Sequence, residues 1–91
     1  MAENSIIPRD EIIASICKEL DRAYAKHGKR LWGRHEFYAI LLEEVDEAWE
    51  NIKADGPRDE LVKEIIQIAA MCVRYLEIGD RYEPSKGANN G

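Results

Sequence analysis

Ninety-one residues, 45% hydrophobic and 34% charged, describe a globular chain of roughly one domain rather than a disordered one. Thirteen Lys and Arg against eighteen Asp and Glu leave a net charge of −5, with an isoelectric point near 5.0. That balance argues against a nucleic-acid polymer or an anionic membrane as partner, because both select for positive charge.

Pro and Gly divide the chain into three stretches, none with an internal Pro or Gly, and each has helical periodicity. The first lies between Pro8 and Gly28. Its Ile12, Ile13, Ile16, Cys17, Leu20, Ala23, Tyr24 and His27 fall within about 140° at 100° per residue. Gly28 reads as the stop, with Lys26 and His27 suited to the negative helix end. His27, on the apolar stripe, reads as a packing residue.

The second helix is predicted from about Arg34 to Ala54, with the stripe Phe37, Tyr38, Leu41, Leu42, Val45, Ala48, Trp49 and Ile52. Trp49 lies inside that stripe and is expected in the core. The third is predicted from about Pro57 to Ile78, with Asp59 and Glu60 at its positive end. Its stripe is Leu61, Val62, Ile65, Ile66, Ala69, Cys72, Val73 and Leu76, and Ile68, Met71, Tyr75 and Ile78 widen it. A helix apolar nearly all round is buried on more than one side. Since so short a chain also buries a modest fraction of its surface, a homodimer or homotetramer is expected. Residues 1–82 read as one all-α domain, and residues 83–91 as a disordered tail.

Two cysteines, Cys17 and Cys72, make no CxxC spacing. The first residues lack the basic and apolar regions of a signal peptide. The longest uncharged apolar run, Ile65 to Val73, contains Gln67 and is nine residues, against about 20 for a membrane span. These readings predict a soluble cytoplasmic protein with reduced thiols.

The charges are segregated. Arg22, Lys26, Lys29, Arg30 and Arg34 form a run without an acid. Glu36, Glu43, Glu44, Asp46, Glu47 and Glu50 follow without a base. A helix face meant only for solubility usually mixes signs at i,i+4. Glu44 and Glu47, three apart, share one side of the second helix, and Glu44 borders the apolar stripe. Glu60, Glu64 and Gln67 form a second strip on the third helix. The short Asp55-Gly56-Pro57 connection favours antiparallel packing, which can bring the two strips face to face. Converging carboxylates suit a hard cation, Mg²⁺ or Mn²⁺, able to hold a nucleotide polyphosphate and activate water. The basic run can contact phosphate, Trp32 can stack on a base, and His35 can cap the second helix or touch substrate. Lys53 and Arg74 are further candidate phosphate contacts.

Other chemistries lack their patterns. Neither His27 nor His35 has a Glu three residues before it, as a di-iron bundle requires. EF-hand, phosphate-loop and HExxH motifs are absent.

Glu43-Glu44-Val45-Asp46-Glu47 matches EExxE, the first half of a two-part motif, and Glu64-Ile65-Ile66-Gln67 falls on the second half, ExxD, after sixteen residues, 48 to 63. With the Trp32-Gly33-Arg34-His35 lead-in, residues 10 to 79 resemble the MazG-like all-α nucleoside triphosphate pyrophosphohydrolases. The resemblance implies an oligomeric helical bundle that uses Mg²⁺ to cleave (d)NTP to the monophosphate and pyrophosphate. It implies Glu44, Glu47 and Glu64 as metal ligands, with Glu43 as a further ligand or water-orienting base. Gln67 departs from the pattern: its carbonyl can reach a metal but adds no negative charge. Two other expectations stand beside the enzyme. One is a non-catalytic MazG-like module that binds a nucleotide or protein; the other is a helical oligomerisation module.

Overall fold

In a computed structural model, the structure describes residues 6–29 and 33–79, and all regular elements among them are helices. They are α1 (Arg9–His27), α2 (Arg34–Lys53) and α3 (Arg58–Ile78). The expected boundaries hold to within a residue for α2 and α3. Trp32 and the predicted tail lie outside the described residues.

Each helix begins and ends where local chemistry dictates. The Pro8 carbonyl accepts from Glu11 and Ile12 N–H at 3.1 and 3.0 Å, and Asp10 and Glu11 occupy the positive first turn. Gly28 closes α1 at φ 76°, and its N–H donates to Tyr24 O at 2.8 Å. Between α2 and α3, Asp55 takes φ 55°, a region that Asp tolerates better than most residues. The Gly56 N–H then donates to Asn51 O at 2.9 Å, and a Cβ on Gly56 would sit 2.6 Å from the Asn51 amide nitrogen. So tight a connection turns α3 back antiparallel to α2.

α3 is central and packs against both other helices. Along α2, Phe37 stacks on Tyr75 with ring centroids 4.5 Å apart. Along α1, the Tyr24 hydroxyl donates to Glu77 Oε1 at 2.6 Å. That contact between two C-terminal ends makes α1 and α3 parallel. Burial against two neighbours accounts for much of α3's wide apolar surface.

The core is thin. Among the described residues only Leu20, Ala48 and Ala70 are buried hydrophobics, and no large side chain is fully buried. The broad α2 stripe divides in two. Phe37, Ile40, Leu41, Glu44 and Ala48 are buried or half-buried, whereas Tyr38, Leu42, Val45, Trp49 and Ile52 are exposed. Trp49 is therefore no core residue of the single chain: it is 51% exposed. One neighbouring helix covers only part of a stripe this wide. Among the described residues no helix is long and apolar enough to cross a membrane.

Candidate metal centre and cleft

The 3.6-residue period carries Glu44 and Glu47 to the shoulder of α2 nearest α3, where Glu64 stands on the facing helix. One carboxylate oxygen from each of the three lies within 4.8 Å of the others. Glu44 and Glu64 are half-buried and Glu47 is exposed. The Oε1 atoms of Glu44 and Glu64 are shielded from solvent and have no hydrogen-bond partner. Burial and like charge act together here. Burial pushes the Glu44 carboxyl above its ordinary value, and the charges of Glu47, Glu64 and Glu43 push it further. Burial likewise raises Glu64, followed by the charge of Glu47.

Three convergent oxygen donors, two of them desolvated, fit a small hard cation. Ligands on an octahedral Mg²⁺ are about 3.0 Å apart when adjacent and about 4.2 Å apart when opposite, so these side chains would draw together by roughly 1–2 Å to share one ion.

The raised carboxyls also set a pH dependence. A carboxyl that titrates higher in the folded than in the unfolded state binds its proton more readily when folded. Stability without metal therefore falls as pH rises from the ordinary Glu value, about 4.3, through the raised folded values. Denaturant midpoints without metal should be higher near pH 5 than near pH 7.5, and saturating Mg²⁺ should remove most of that difference. The Glu44→Gln, Glu64→Gln double variant should flatten the profile. An unchanged slope in that variant would show that these carboxylates do not cause it.

Beside Glu44 opens a cleft of about 310 Å³ between the three helices. Glu44 and Gln67 line it near the carboxylate cluster, and Arg22, His27 and Arg74 bring potential cations to the same space. Gln67 and Arg74 are seven residues apart on α3, about 10 Å along the axis. The Arg74 guanidinium lies 5.9 Å from the centre of the Tyr24 ring. Burial, then the hydrogen bond and charge of Glu77, push the Tyr24 hydroxyl up to about 12. It therefore stays protonated at neutral pH and keeps the α1 and α3 ends together.

The predicted residues separate into those at this site and those away from it. Glu44, Glu47 and Glu64 converge, and Gln67 and Arg74 line the adjoining cleft. Glu43 is exposed on the outer side of α2 and reaches Glu44 through its charge. Glu60 is also outside the cluster, with its Oε2 4.0 Å from Lys63 Nζ. Lys53 lies beyond the cleft, 3.1 Å from Glu50 and 5.6 Å over the Trp49 ring. Arg34 and His35 are exposed at the start of α2, about 13 Å or more along its axis from Glu44.

His27 corrects the sequence reading. It is exposed and lines the cleft rather than packing in the core. Arg22 was legible only as part of a basic run; the rotation of α1 against α3 makes it a wall of the cleft. Glu19, which also lines the cleft, gave no sequence signal.

No protein-family model matches the chain, and no curated protein or solved structure matches it.

Proposed function

We propose that the chain is a Mg²⁺-dependent nucleotide pyrophosphohydrolase that cleaves (d)NTP to (d)NMP and pyrophosphate, with Mn²⁺ able to replace Mg²⁺. The observation that carries this reading is the convergence of Glu44, Glu47 and Glu64 beside a cleft that Glu44 lines together with Arg22, His27 and Arg74, and with Glu19 and Glu36. In this reading Glu44, Glu47 and Glu64 would hold the cation through their converging carboxylate oxygens, and Gln67 could add its carbonyl. When bound, Mg²⁺ polarises phosphoryl oxygens and acidifies water. Glu47 is the exposed ligand, and Glu43, exposed beside it, would orient the attacking water and accept its proton. Water oxygen bonds to the α-phosphorus as the bond from that phosphorus to the α–β bridging oxygen breaks. Pyrophosphate leaves toward Arg22 and Arg74, whose charge offsets the charge that develops there.

The reaction is tested with a panel of NTPs and dNTPs plus Mg²⁺, assayed for pyrophosphate release. Gln67 gives a second reading its own observation: a neutral amide stands where MazG-like sites carry an aspartate. No turnover, with thermal stabilisation by nucleotide and Mg²⁺ together, would assign a non-catalytic nucleotide-binding module. Neither response would leave an oligomerisation module. Gln67→Asp should tighten Mg²⁺ binding roughly tenfold or more by adding a charge near the cation. Calorimetry showing no change would remove Gln67 from the metal.

The same reading includes a cytoplasmic homodimer or homotetramer, with Cys17 and Cys72 as free thiols. Tyr38, Leu42, Val45, Trp49 and Ile52 alternate four and three apart, the 3.5-residue period of a helix-pairing seam. On α3, Ile65, Ala69, Cys72 and Leu76 repeat the pattern, about 165° round the helix from Gln67 and Arg74. Ile65 and Leu76 are exposed, and Ile13 of α1 is exposed as well. A second copy covering this face would leave the cleft open.

A further inference from the structure

We propose that the groove between α1 and α3 is a nucleoside subsite opening off the carboxylate cleft, where the Gln67 amide meets the edge of a nucleobase. The ligand class rests on the pyrophosphohydrolase reading; the placement rests on two adjoining spaces. The groove holds about 480 Å³, with Val62 and Ile66 of α3 on one side and Ser15 and Lys18 of α1 on the other. Glu19, Arg22 and Gln67 line both the groove and the 310 Å³ cleft, so the two spaces meet at these side chains. Each has the size of a small-molecule site.

Their chemistry divides as a nucleotide does. The cleft gathers carboxylates and cations, suited to a metal and linked phosphates. The groove offers carbon surface from Val62, Ile66 and the stems of Lys18 and Lys63, with polar ends at its rim, suited to a flat ring whose polar atoms lie at its edge. Gln67 stands between them. With its carbonyl toward the cation, its NH₂ is left as a donor that can reach an acceptor on a base edge. An aspartate there would only accept, and its charge would face the incoming phosphates. The departure at Gln67 thus gives up charge near the cation and gains a donor toward the groove. Arg22 marks the same junction. Its Nε and Nη2 donate to Glu19 at 3.1 and 2.5 Å, which holds the guanidinium where a nucleotide would pass from one space to the other.

The test maps Ile, Val and Met methyl NMR signals of the full chain during two titrations. Uncharged deoxynucleosides should shift Val62 and Ile66. Inorganic tripolyphosphate with Mg²⁺ should shift Ile40 and Met71 in the cleft. Ser15→Trp, which fills the groove from α1, should weaken the nucleoside response at least about tenfold; if it fails to fold, the wild-type map decides. Nucleosides that leave Val62 and Ile66 unmoved, or move only cleft methyls, would overturn the subsite. So would Val62 and Ile66 shifts that follow protein concentration instead of nucleoside, which would assign the groove to a second copy. If nucleosides occupy the groove but tripolyphosphate and Mg²⁺ neither bind nor react, the pyrophosphohydrolase reading fails and the subsite stands. If tripolyphosphate and Mg²⁺ bind but nucleosides stay out of the groove, the subsite alone fails.

Discussion

Replacing Glu44 with Ala is expected to lower Mg²⁺-dependent pyrophosphate release by about a thousandfold, close to 4 kcal/mol of transition-state stabilisation. Glu44 lies close to both Glu47 and Glu64 and feels the charge of each. Its Oε1 is shielded and lacks a hydrogen-bond partner, and like charges hold its carboxyl up. At neutral pH this group opposes folding without metal; in the proposed reading it becomes a ligand when Mg²⁺ binds. Glu44→Ala should therefore have opposite effects on two readouts. Metal-free stability should rise or stay level, because an unfavourably placed charge is removed. Stabilisation by Mg²⁺, worth about 2.7 kcal/mol in the wild type at a hundred times Kd, should largely vanish. Steady-state kinetics and thermal melts with and without Mg²⁺ measure both. Retained turnover together with retained Mg²⁺ stabilisation would remove Glu44 from the site. Loss of metal-free stability with intact metal binding would make it a packing residue.

If the proposed homodimer pairs through the α2 seam, Leu42→Lys should separate its subunits. Leu42 is 43% exposed at the middle of the α2 seam, and Asp46, one turn later, can pair with a lysine there and support the helix. Burying a leucine is worth about 1.5–3 kcal/mol, and twofold symmetry counts each substitution twice. The dimer dissociation constant should rise by about two to four orders of magnitude. Light scattering across a dilution series reads the change, and circular dichroism reports whether the helices remain. A monomeric wild type, or a variant whose mass at each dilution matches the wild type, would remove the seam as an interface. The expectation follows from the thin core: three buried hydrophobics among the described residues leave a monomer little apolar burial to offset chain entropy.

The three helices were readable because their signals are local. Pro8, Gly28, Gly56 and Pro57 punctuate the chain, and 3.6-residue periodicity spans each interval. The carboxylate cluster was readable for a related reason. Residues three or four apart share a helix side, and a tight turn makes the next helix antiparallel. Glu44, Glu47 and Glu64 needed only those two rules to meet. Trp49 and His27 were misread because an apolar stripe shows which residues avoid water, not which neighbour covers them.

By itself the sequence determined the helices, their segregated charges and the antiparallel meeting of Glu44 with Glu64, since each follows from short-range geometry. Only the tertiary structure decided which half of the α2 stripe faces α3, and that Lys53 stands outside the cleft. It alone decided that α1 brings Arg22 and His27 to the carboxylates, and that Gln67 lies where cleft and groove join. Those outcomes depend on how α1 and α2 are rotated against α3. Helical period specifies a face, but the direction of that face is a balance of packing among all three helices.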